Sequence, residues 1–268
     1  TLLFHFVPIS IALKLVPLPD DIIRPFVQLT TVGVMCCSTS LSTCAMEWNL
    51  LNGDVTIDKT TTLSIGGKTV SLQNPELVGY GGGGAVFSFQ KSSSLLKVSW
   101  EGSSKDVERE CDILQKMEEE NIQAVEHCLG KYHYNSKRSM ILIDPYVRDA
   151  VASVMEVSPS MQSRSVEQIS RTLVQMLAAN IVTIDVQPLI SKDTGDVIFI
   201  DMTEAKILLK PLSSIDKVTM SSFISEMVNL IPEKYEEVAT REMLNELERL
   251  KMNGNGLSIE AMDILQSQ

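Results

Sequence analysis

The stretch Gly79-Tyr80-Gly81-Gly82-Gly83-Gly84-Ala85-Val86 decides the fold, because it fits the pattern G-x-G-x-x-G-x-V. A glycine turn lets backbone N–H groups approach phosphate oxygens, and the valine can cover an adenine ring. A glycine run alone is a weak signal and is often only a flexible turn. The apolar run Leu95-Leu96-Lys97-Val98 follows, so a lysine on the next strand can reach the phosphates. This lysine favours a nucleotide cradle over a plain turn.

Lys97 stands between two apolar neighbours in that run. Because side chains alternate along a strand, Lys97 should point away from the face that carries Leu96 and Val98. That orientation suits a residue facing a cleft. The alternative is a lysine at the sheet edge whose stem lies along apolar surface.

The composition limits the class of protein. The chain has 268 residues and is 44% hydrophobic, which is enough for a sizeable core in one large domain or two lobes. Its net charge of −11 and its pI near 4.8 argue against a nucleic-acid binder, which would need a basic surface. No nucleic-acid partner is expected.

Cysteine and histidine usage predicts neither a metal site nor a disulfide framework. The five cysteines, Cys36, Cys37, Cys44, Cys111 and Cys128, include no C-x-x-C pair, and their number is odd. With three histidines and no His/Cys cluster, zinc is not expected. We interpret Cys111 and Cys128 as ordinary buried thiols. The expected location is an intracellular reducing compartment.

Residues 1–50 differ from the rest of the chain. Residues 25–46 carry no charge, and that length could span a bilayer. Ser, Thr and Gln are frequent there, however, and prolines interrupt the apolar stretch before it. A targeting or membrane segment and a partly ordered or disordered extension both remain open, and we favour the extension.

The middle of the chain has the pattern of β-structure. Short β-like runs separated by turn residues predict hairpins that continue into one sheet. The runs lie at 55–57, 62–65, 69–72, 77–78, 85–89 and 95–100. A buried strand at 140–143 ends at Asp144-Pro145, and a hairpin at 194–196 leads into another strand at 197–200.

Helical spacing begins at Ser103, which is a good N-cap residue with Asp106 at the capping-box position. The apolar positions of this helix are Val107, Cys111, Leu114 and Met117. A second helix is predicted at 165–179, with Val166, Ile169, Leu173 and Leu177 on its apolar face. Further helices are predicted at 218–230, 233–252 and 258–266.

The order of these motifs over about residues 75–230 resembles a protein-kinase-like domain, and among kinases the small atypical ones such as the RIO kind. The resemblance implies an α+β, two-lobed fold. Residues 51–143 would form a β-rich N-lobe with one αC helix. Residues 144–268 would form a reduced helical C-lobe, after the extension at 1–50.

The same resemblance implies an ATP-binding cleft beneath the glycine turn. Arg109-Glu110-Cys111-Asp112-Ile113-Leu114 is similar to the αC stretch whose glutamate pairs with the phosphate-gripping lysine, so Glu110 takes that role. Glu108 is a weaker candidate. The implied nucleotide-binding residues of the turn and the lysine pair are Gly79, Gly81, Gly82, Gly84, Val86, Lys97 and Glu110.

The stretch Ile141–Tyr146 looks like the last N-lobe strand running into the hinge. By position, Ile143 would be the gatekeeper. The Asp144 carbonyl and the Tyr146 N–H would face the adenine edge.

Two later aspartates are assigned by the same resemblance. Asp185 lies in the stretch 180–188, which is similar to a catalytic loop whose aspartate orients the acceptor hydroxyl and accepts its proton. Asp201 stands where the metal-binding aspartate would be and would hold Mg²⁺ between phosphates. Lys97 and Asp185 are thus the implied catalytic residues, and Asp201 is the metal ligand. On its own, Asp185 could equally be a turn residue before Pro188.

The chain also departs from the family pattern. Thr183-Ile184 replaces the His-Arg of the catalytic loop, and Ile190 stands five residues after Asp185, where the loop asparagine would be. The interval from Asp185 to Asp201 is about two residues shorter than the family pattern, so a deletion of the asparagine is the alternative. Met202-Thr203 replaces Phe-Gly after the metal aspartate, and no A-P-E motif follows.

The implied function is therefore an ATP-dependent transfer of phosphate to a hydroxyl acceptor, with protein Ser/Thr as one class of acceptor. The alternative is a pseudokinase that acts as a nucleotide-binding or regulatory interaction module. A membrane partner would involve only residues 25–46.

Overall fold

The computed structural model describes residues 73–266 apart from Gly82, Lys91, Glu101 and residues 136–137, together with the backbone of four upstream strands. The upstream strands are β1 (Glu47–Trp48), β2 (Val55–Thr56), β3 (Thr61–Ile65) and β4 (Lys68–Leu72). The uncharged stretch 25–46, for which an extension was favoured and a membrane segment left open, lies outside the described residues. Among the residues that are described, no helix is long and apolar enough to cross a bilayer.

A five-stranded antiparallel sheet forms the first half of the described chain. Its strands are β5 (Glu76–Tyr80), β6 (Gly84–Ser88), β7 (Leu95–Ser99), β8 (His127–Asn135) and β9 (Arg138–Asp144), in the order β5-β6-β7-β9-β8. The upstream strands pair separately, β1 with β2 and β3 with β4. The prediction that the early hairpins continue this sheet is therefore wrong. Strand β8 was not predicted.

Each face of the five-stranded sheet carries its own set of side chains, because neighbouring residues in a strand point to opposite sides. One face holds a small apolar cluster formed by Ala85, Phe87, Phe89, Leu96, Val98, Met140 and Leu142. The other face, with Leu95, Ile141 and Ile143, joins the main core. Lys97 lies on this second face, as the alternation predicts.

Helix α1 (Ser104–Glu119) packs against that second face. Its predicted apolar residues, Val107, Cys111, Leu114 and Met117, are all buried. Ser103 is the N-cap residue, but its side chain makes no capping hydrogen bond. The predicted capping box is therefore wrong.

The second half of the chain is mainly helical. Its helices are α2 (Pro159–Ala178), α3 (Ser214–Asn229), α4 (Glu236–Met252) and α5 (Ile259–Gln266). Its short strands are β10 (Ala150–Val151), β11 (Ile181–Val182), β12 (Gln187–Ser191), β13 (Val197–Ile200) and β14 (Lys206–Ile207). These strands form the sheets β10-β12-β13 and β11-β14. The order of a sheet-rich part followed by helices agrees with the predicted α+β class, while the lobe boundary at 143/144 stays a prediction.

Helix α2 is the central helix of the main core. Val166, Ile169, Leu173 and Leu177, the predicted apolar face, are fully buried. The helix begins earlier than predicted, with Pro159 at its first position, where a missing N–H and a fixed φ are tolerated.

Cys111 and Cys128 form a disulfide that joins helix α1 to strand β8. The interpretation of these two residues as free thiols is therefore wrong. The two cysteines are 17 residues apart in the sequence, one on a helix and the other on a strand. Their approach therefore depends on how α1 packs against the sheet. The predicted reducing compartment stays an untested prediction.

Candidate functional site

Lys97 and Glu110 form a buried ion pair. Lys97 lies in the central strand β7 and pairs with Val86 on β6 and Ile141 on β9. Its Nζ lies 2.7 Å from Glu110 Oε2, and the two side chains are 8% and 0% exposed. The lysine therefore projects from the sheet straight onto helix α1.

The structure distinguishes between the two glutamates considered for this role. Glu108 Oε1 accepts hydrogen bonds from the hydroxyls of Ser104 and Ser139, at the start of α1 and on β9. Glu110 alone of the two makes the ion pair with Lys97.

Asp201 reaches the same lysine from the end of strand β13. Lys97 Nζ lies 2.8 Å from Asp201 Oδ1, and the Asp201 side chain is 41% exposed. Asp201 has a φ of 57°, in the left-handed region that non-glycine residues rarely adopt. The local backbone thus turns sharply at the residue whose carboxylate meets the lysine.

The three charges control one another's ionisation. Burial on its own would lower the pKa of Lys97, but the carboxylates of Glu110 and Asp201 outweigh it, so this pKa lies above its ordinary value. For Asp201, burial acts to raise the pKa, yet Lys97 and Thr203 hold it below its ordinary value. These shifts favour the ammonium form of Lys97 and the carboxylate form of Asp201, whereas burial raises the pKa of Glu110 above its ordinary value.

Thr203 occupies the centre of this cluster. Its Oγ1 lies 2.5 Å from Asp201 Oδ1 and 3.2 Å from Glu110 Oε2, and it accepts a hydrogen bond from Lys97 at 3.2 Å. Its carbonyl accepts a 2.6 Å hydrogen bond from Arg109 Nη2 on α1. The sequence comparison noted Thr203 only as a departure from glycine, and no pattern in the sequence identified its contacts.

Glu126 is a fourth ionisable residue near the cluster, and sequence analysis missed it. It is 3% exposed, and its backbone N–H donates to the Phe199 carbonyl at 3.3 Å. Burial, with a contribution from Glu110, raises the pKa of Glu126 to about 8. A glutamate within the apolar run Ala124–Leu129 was a usable signal, because a buried carboxyl needs hydrogen-bond partners.

The glycine turn is a tight connection between β5 and β6. Gly81 N–H donates to Gly84 O at 2.9 Å, and Trp100 Nε1 donates to Gly81 O at 2.6 Å. A Cβ on Gly84 would lie 2.1 Å from the Val98 carbonyl oxygen, whereas Cβ atoms on Gly81 or Gly83 would meet nothing within 4 Å. Gly84 is thus required by strand packing, while Gly81 borders open space. Gly82 lies outside the described residues.

The remaining predicted nucleotide residues sit on the same side of the sheet as Lys97 or at its edge. Gly79 pairs with Val86, which is partly buried and packs against the main core. Ile143 is buried in that core, opposite Leu95 on β7. Their contact with a nucleotide stays a prediction.

The predicted hinge residues have intramolecular partners. Asp144 ends β9 and pairs with His127 on β8. The Tyr146 N–H, predicted to face adenine, donates instead to the Ser93 carbonyl. A nucleotide would have to displace this hydrogen bond to use the Tyr146 N–H as predicted.

Asp185 and Asp201 lie at the same end of the β12–β13 hairpin. Gln187, at the start of β12, pairs with Ile200, at the end of β13. Asp185 is exposed, and its Oδ2 accepts a 2.6 Å hydrogen bond from Gln187 Nε2. Burial, with a contribution from the nearby charge of Asp185, raises the pKa of Glu226 on α3 above its ordinary value. Sequence analysis missed Glu226.

Ile190, five residues after Asp185, lies in the core. It is fully buried on β12, where it pairs with Val151 and Val197. An apolar side chain in the core supplies no metal ligand, and the correspondence of this position to the loop asparagine stays a prediction.

No protein-family model and no curated protein matches this chain. Among solved structures, the autoinhibited serine kinase domain of the giant muscle protein titin is similar, with a TM-score of 0.45 and 14% identity. The similarity covers 78% of this chain and 73% of that chain. Similarity at this level assigns neither a family nor an activity, so the function is argued from the site.

Proposed function

We propose that the protein is a kinase-like phosphotransferase that binds Mg²⁺–ATP and transfers the γ-phosphoryl group to a hydroxyl acceptor. The observation that carries this proposal is that Lys97 Nζ lies 2.7 Å from Glu110 Oε2 and 2.8 Å from Asp201 Oδ1. Strand β7, helix α1 and the end of β13 thus converge on one cation, and Lys97 pairs with Val86 on the strand that follows the glycine turn. A lysine oriented by a helix glutamate beside a metal-binding aspartate is the arrangement that positions phosphates for transfer.

Asp201 is the residue that would hold magnesium. Within the described part of the chain, no three His, Cys, Asp or Glu side chains are grouped so that they could hold a metal. The single carboxylate of Asp201 fits Mg²⁺, because this ion usually keeps several waters and binds through one or two carboxylates together with substrate phosphates. When bound, the ion would neutralise charge on the β- and γ-phosphates.

Asp185 is the residue that would orient the acceptor hydroxyl and take its proton. Its exposed carboxylate suits an incoming acceptor, and the hydrogen bond from Gln187 restricts its position. A positioned general base contributes on the order of 10²–10⁴-fold in rate. The sequence resemblance makes protein Ser or Thr the first acceptor class to test.

Binding is tested by calorimetric titration of the full chain with ATP and Mg²⁺. Lys97→Met should abolish binding or weaken it at least about tenfold, because the cation that meets the phosphates is lost. Lys192→Met, in the exposed β12–β13 turn, is the matched control and should bind as the wild type does. Failure of the wild-type chain to bind Mg²⁺–ATP would reject the proposal.

Transfer is tested by following γ-phosphate from labelled ATP to water, to the chain itself and to Ser/Thr peptides. Asp185→Asn and Asp201→Asn should each remove the turnover, and Asp193→Asn, in the exposed turn, should not. Unchanged turnover in both site variants would assign any observed activity to a contaminant.

The second candidate is a regulatory module that binds nucleotide without transferring phosphate. Buried Ile190 favours it, because the position leaves Asp201 without the second metal-binding side chain of the kinase pattern. Mg²⁺–ATP binding with no turnover above that of Asp201→Asn would select this candidate.

A further inference from the structure

Trp100 directly follows strand β7, the strand that carries Lys97, and it donates two hydrogen bonds to the glycine turn. Its indole Nε1–H donates to the Gly81 carbonyl at 2.6 Å. Its backbone N–H donates to the Gly83 carbonyl at 3.1 Å. One residue thus fixes two carbonyl groups of the turn.

Trp100 is itself fixed in position. Its carbonyl accepts the N–H of Ser103, the N-cap residue of helix α1, at 3.2 Å. Its side chain is partly buried and packs against the small apolar cluster, on the sheet face opposite Lys97. The indole therefore holds the turn from the outer face of the sheet, and the Lys97 side stays open to a ligand.

The turn depends on such a support because its residues have no side chains that could pack. A Cβ added to Gly81 or Gly83 would meet nothing within 4 Å, so these residues border open space. Glycine also has more backbone freedom to lose on ordering than any other residue. The bond from Gly81 N–H to Gly84 O, at 2.9 Å, ties the turn to β6. The indole bond ties Gly81 to the end of β7 as well.

We infer that Trp100 is a positioning residue for the glycine turn, and that its indole N–H holds Gly81 in place so that the turn meets the phosphates of a bound nucleotide already ordered. A part that is ordered before binding raises affinity, because less conformational entropy is lost when the ligand arrives. The phosphate step rests on the proposed function. The hydrogen bond to Gly81 stands without it.

The hydrogen bond is tested first, without nucleotide, by NMR hydrogen exchange in the full chain. The Trp100 indole N–H should exchange at least about tenfold more slowly than that of free tryptophan, because it must open before it exchanges. Trp100→Phe keeps an aromatic ring and removes the donor. In this variant the Gly81 amide should exchange at least about tenfold faster, with wild-type rates at Leu96 and Val98.

The matched control is Tyr132→Leu. Tyr132 is another partly buried aromatic residue that packs against the same apolar cluster, but it lies on β8, at the opposite edge of the sheet from β5. Its replacement removes aromatic packing and leaves the indole bond intact. The Gly81 amide should therefore keep its wild-type exchange rate.

The phosphate step is tested by calorimetric affinities for ATP and for adenosine, both with Mg²⁺. Trp100→Phe should weaken ATP binding at least about fivefold, which is the effect of one lost hydrogen bond. Its affinity for adenosine, which has no phosphates, should stay within about twofold of wild type, and Tyr132→Leu should change neither affinity by more than that. A merely structural role of Trp100 would weaken both ligands together.

The outcomes separate the inference from the proposed function. A Trp100 indole proton that exchanges as in free tryptophan, or a Gly81 amide equally protected in Trp100→Phe, overturns the inference. An unchanged ATP affinity, or an adenosine affinity that falls in parallel, overturns the phosphate step. A wild-type chain that binds no nucleotide overturns the proposed function and leaves hydrogen exchange to decide the bond to Gly81. If Trp100→Phe does not fold, the wild-type indole still decides that bond, and Trp100→Met replaces the variant in the binding assay.

Discussion

The Thr203 hydroxyl lies 2.5 Å from Asp201 Oδ1 and 3.2 Å from Glu110 Oε2, so one side chain bridges the turn after β13 and helix α1. Arg109 reinforces the bridge by donating to the Thr203 carbonyl. The hydroxyl therefore couples the candidate metal ligand to the glutamate of the lysine pair. A glycine at this position would supply only the backbone part of the bridge.

Replacing Thr203 with valine keeps the shape of the side chain and removes the hydroxyl. We expect the free energy of unfolding to fall by about 1–3 kcal/mol, because partly buried partners lose a hydrogen bond. Urea unfolding measures the change. Thr240→Val, on an exposed part of α4, is the control and should change stability by less than about 0.5 kcal/mol. Equal effects of the two substitutions would contradict the bridge.

Gly84 and Gly83 should respond differently to alanine. A Cβ on Gly84 would clash with the Val98 carbonyl at 2.1 Å, so strands β6 and β7 must separate. We expect Gly84→Ala to lower the free energy of unfolding by about 1–3 kcal/mol, a usual range for overpacking. Gly83→Ala, with open space around the added atom, should lie within about 0.5 kcal/mol of wild type. Thermal unfolding of the two variants decides, and a neutral Gly84→Ala would count against the observed strand spacing.

The Cys111–Cys128 disulfide should be detectable chemically. Alkylation of the denatured, unreduced chain should leave Cys111 and Cys128 unmodified in the peptide map. Closing a loop of about 15 residues contributes about 3 kcal/mol, so reduction should lower the free energy of unfolding by about that amount. Alkylation of Cys111 and Cys128 without reductant would show that the bond is absent.

Glu246 on α4 should make stability depend on pH in the acid range. Burial acts to raise its pKa, but hydrogen bonds from Arg249 and Gln175 outweigh this and hold the pKa below the ordinary value of 4.5. The carboxylate therefore stabilises the folded chain above that value, and the contribution is lost as the pH falls through the folded-state pKa.

The corresponding variant is Glu246→Gln. It should lower the free energy of unfolding by roughly 1–3 kcal/mol at pH 7, with the difference from wild type shrinking below pH 4.5. Denaturant unfolding at several pH values measures this. Glu237→Gln, exposed on the same helix, is the control. A difference that does not depend on pH would contradict the role of the charge.

Much of the local structure was readable from the sequence. Alternation in β7 indicated that Lys97 points away from Leu96 and Val98, and helical spacing identified the buried face of α1. These patterns are local, because side-chain direction follows from the strand and helix periods. The resemblance of residues 109–114 to an αC stretch, rather than periodicity, implied the ion pair of Glu110 with Lys97.

Other features escaped prediction because they depend on contacts between distant segments. Strand β8 has a mixed polar sequence, and it is a strand because β9 offers it a hydrogen-bonding edge. The Ser103 side chain does not cap α1, although its residue type predicts that it should. Local preference was overridden in both cases by the surrounding structure.

The sequence by itself determined which residues carry charge into an apolar setting: a lysine within β7, a glutamate on the inner face of α1 and an aspartate at the end of β13. Only the tertiary structure decided that these three charges meet, that Thr203 supports Asp201, and that Cys111 bonds to Cys128. The physical reason is that periodicity sets the direction of a side chain within its own element. The partner it meets is set by how helix α1 and the β12–β13 hairpin pack against the sheet.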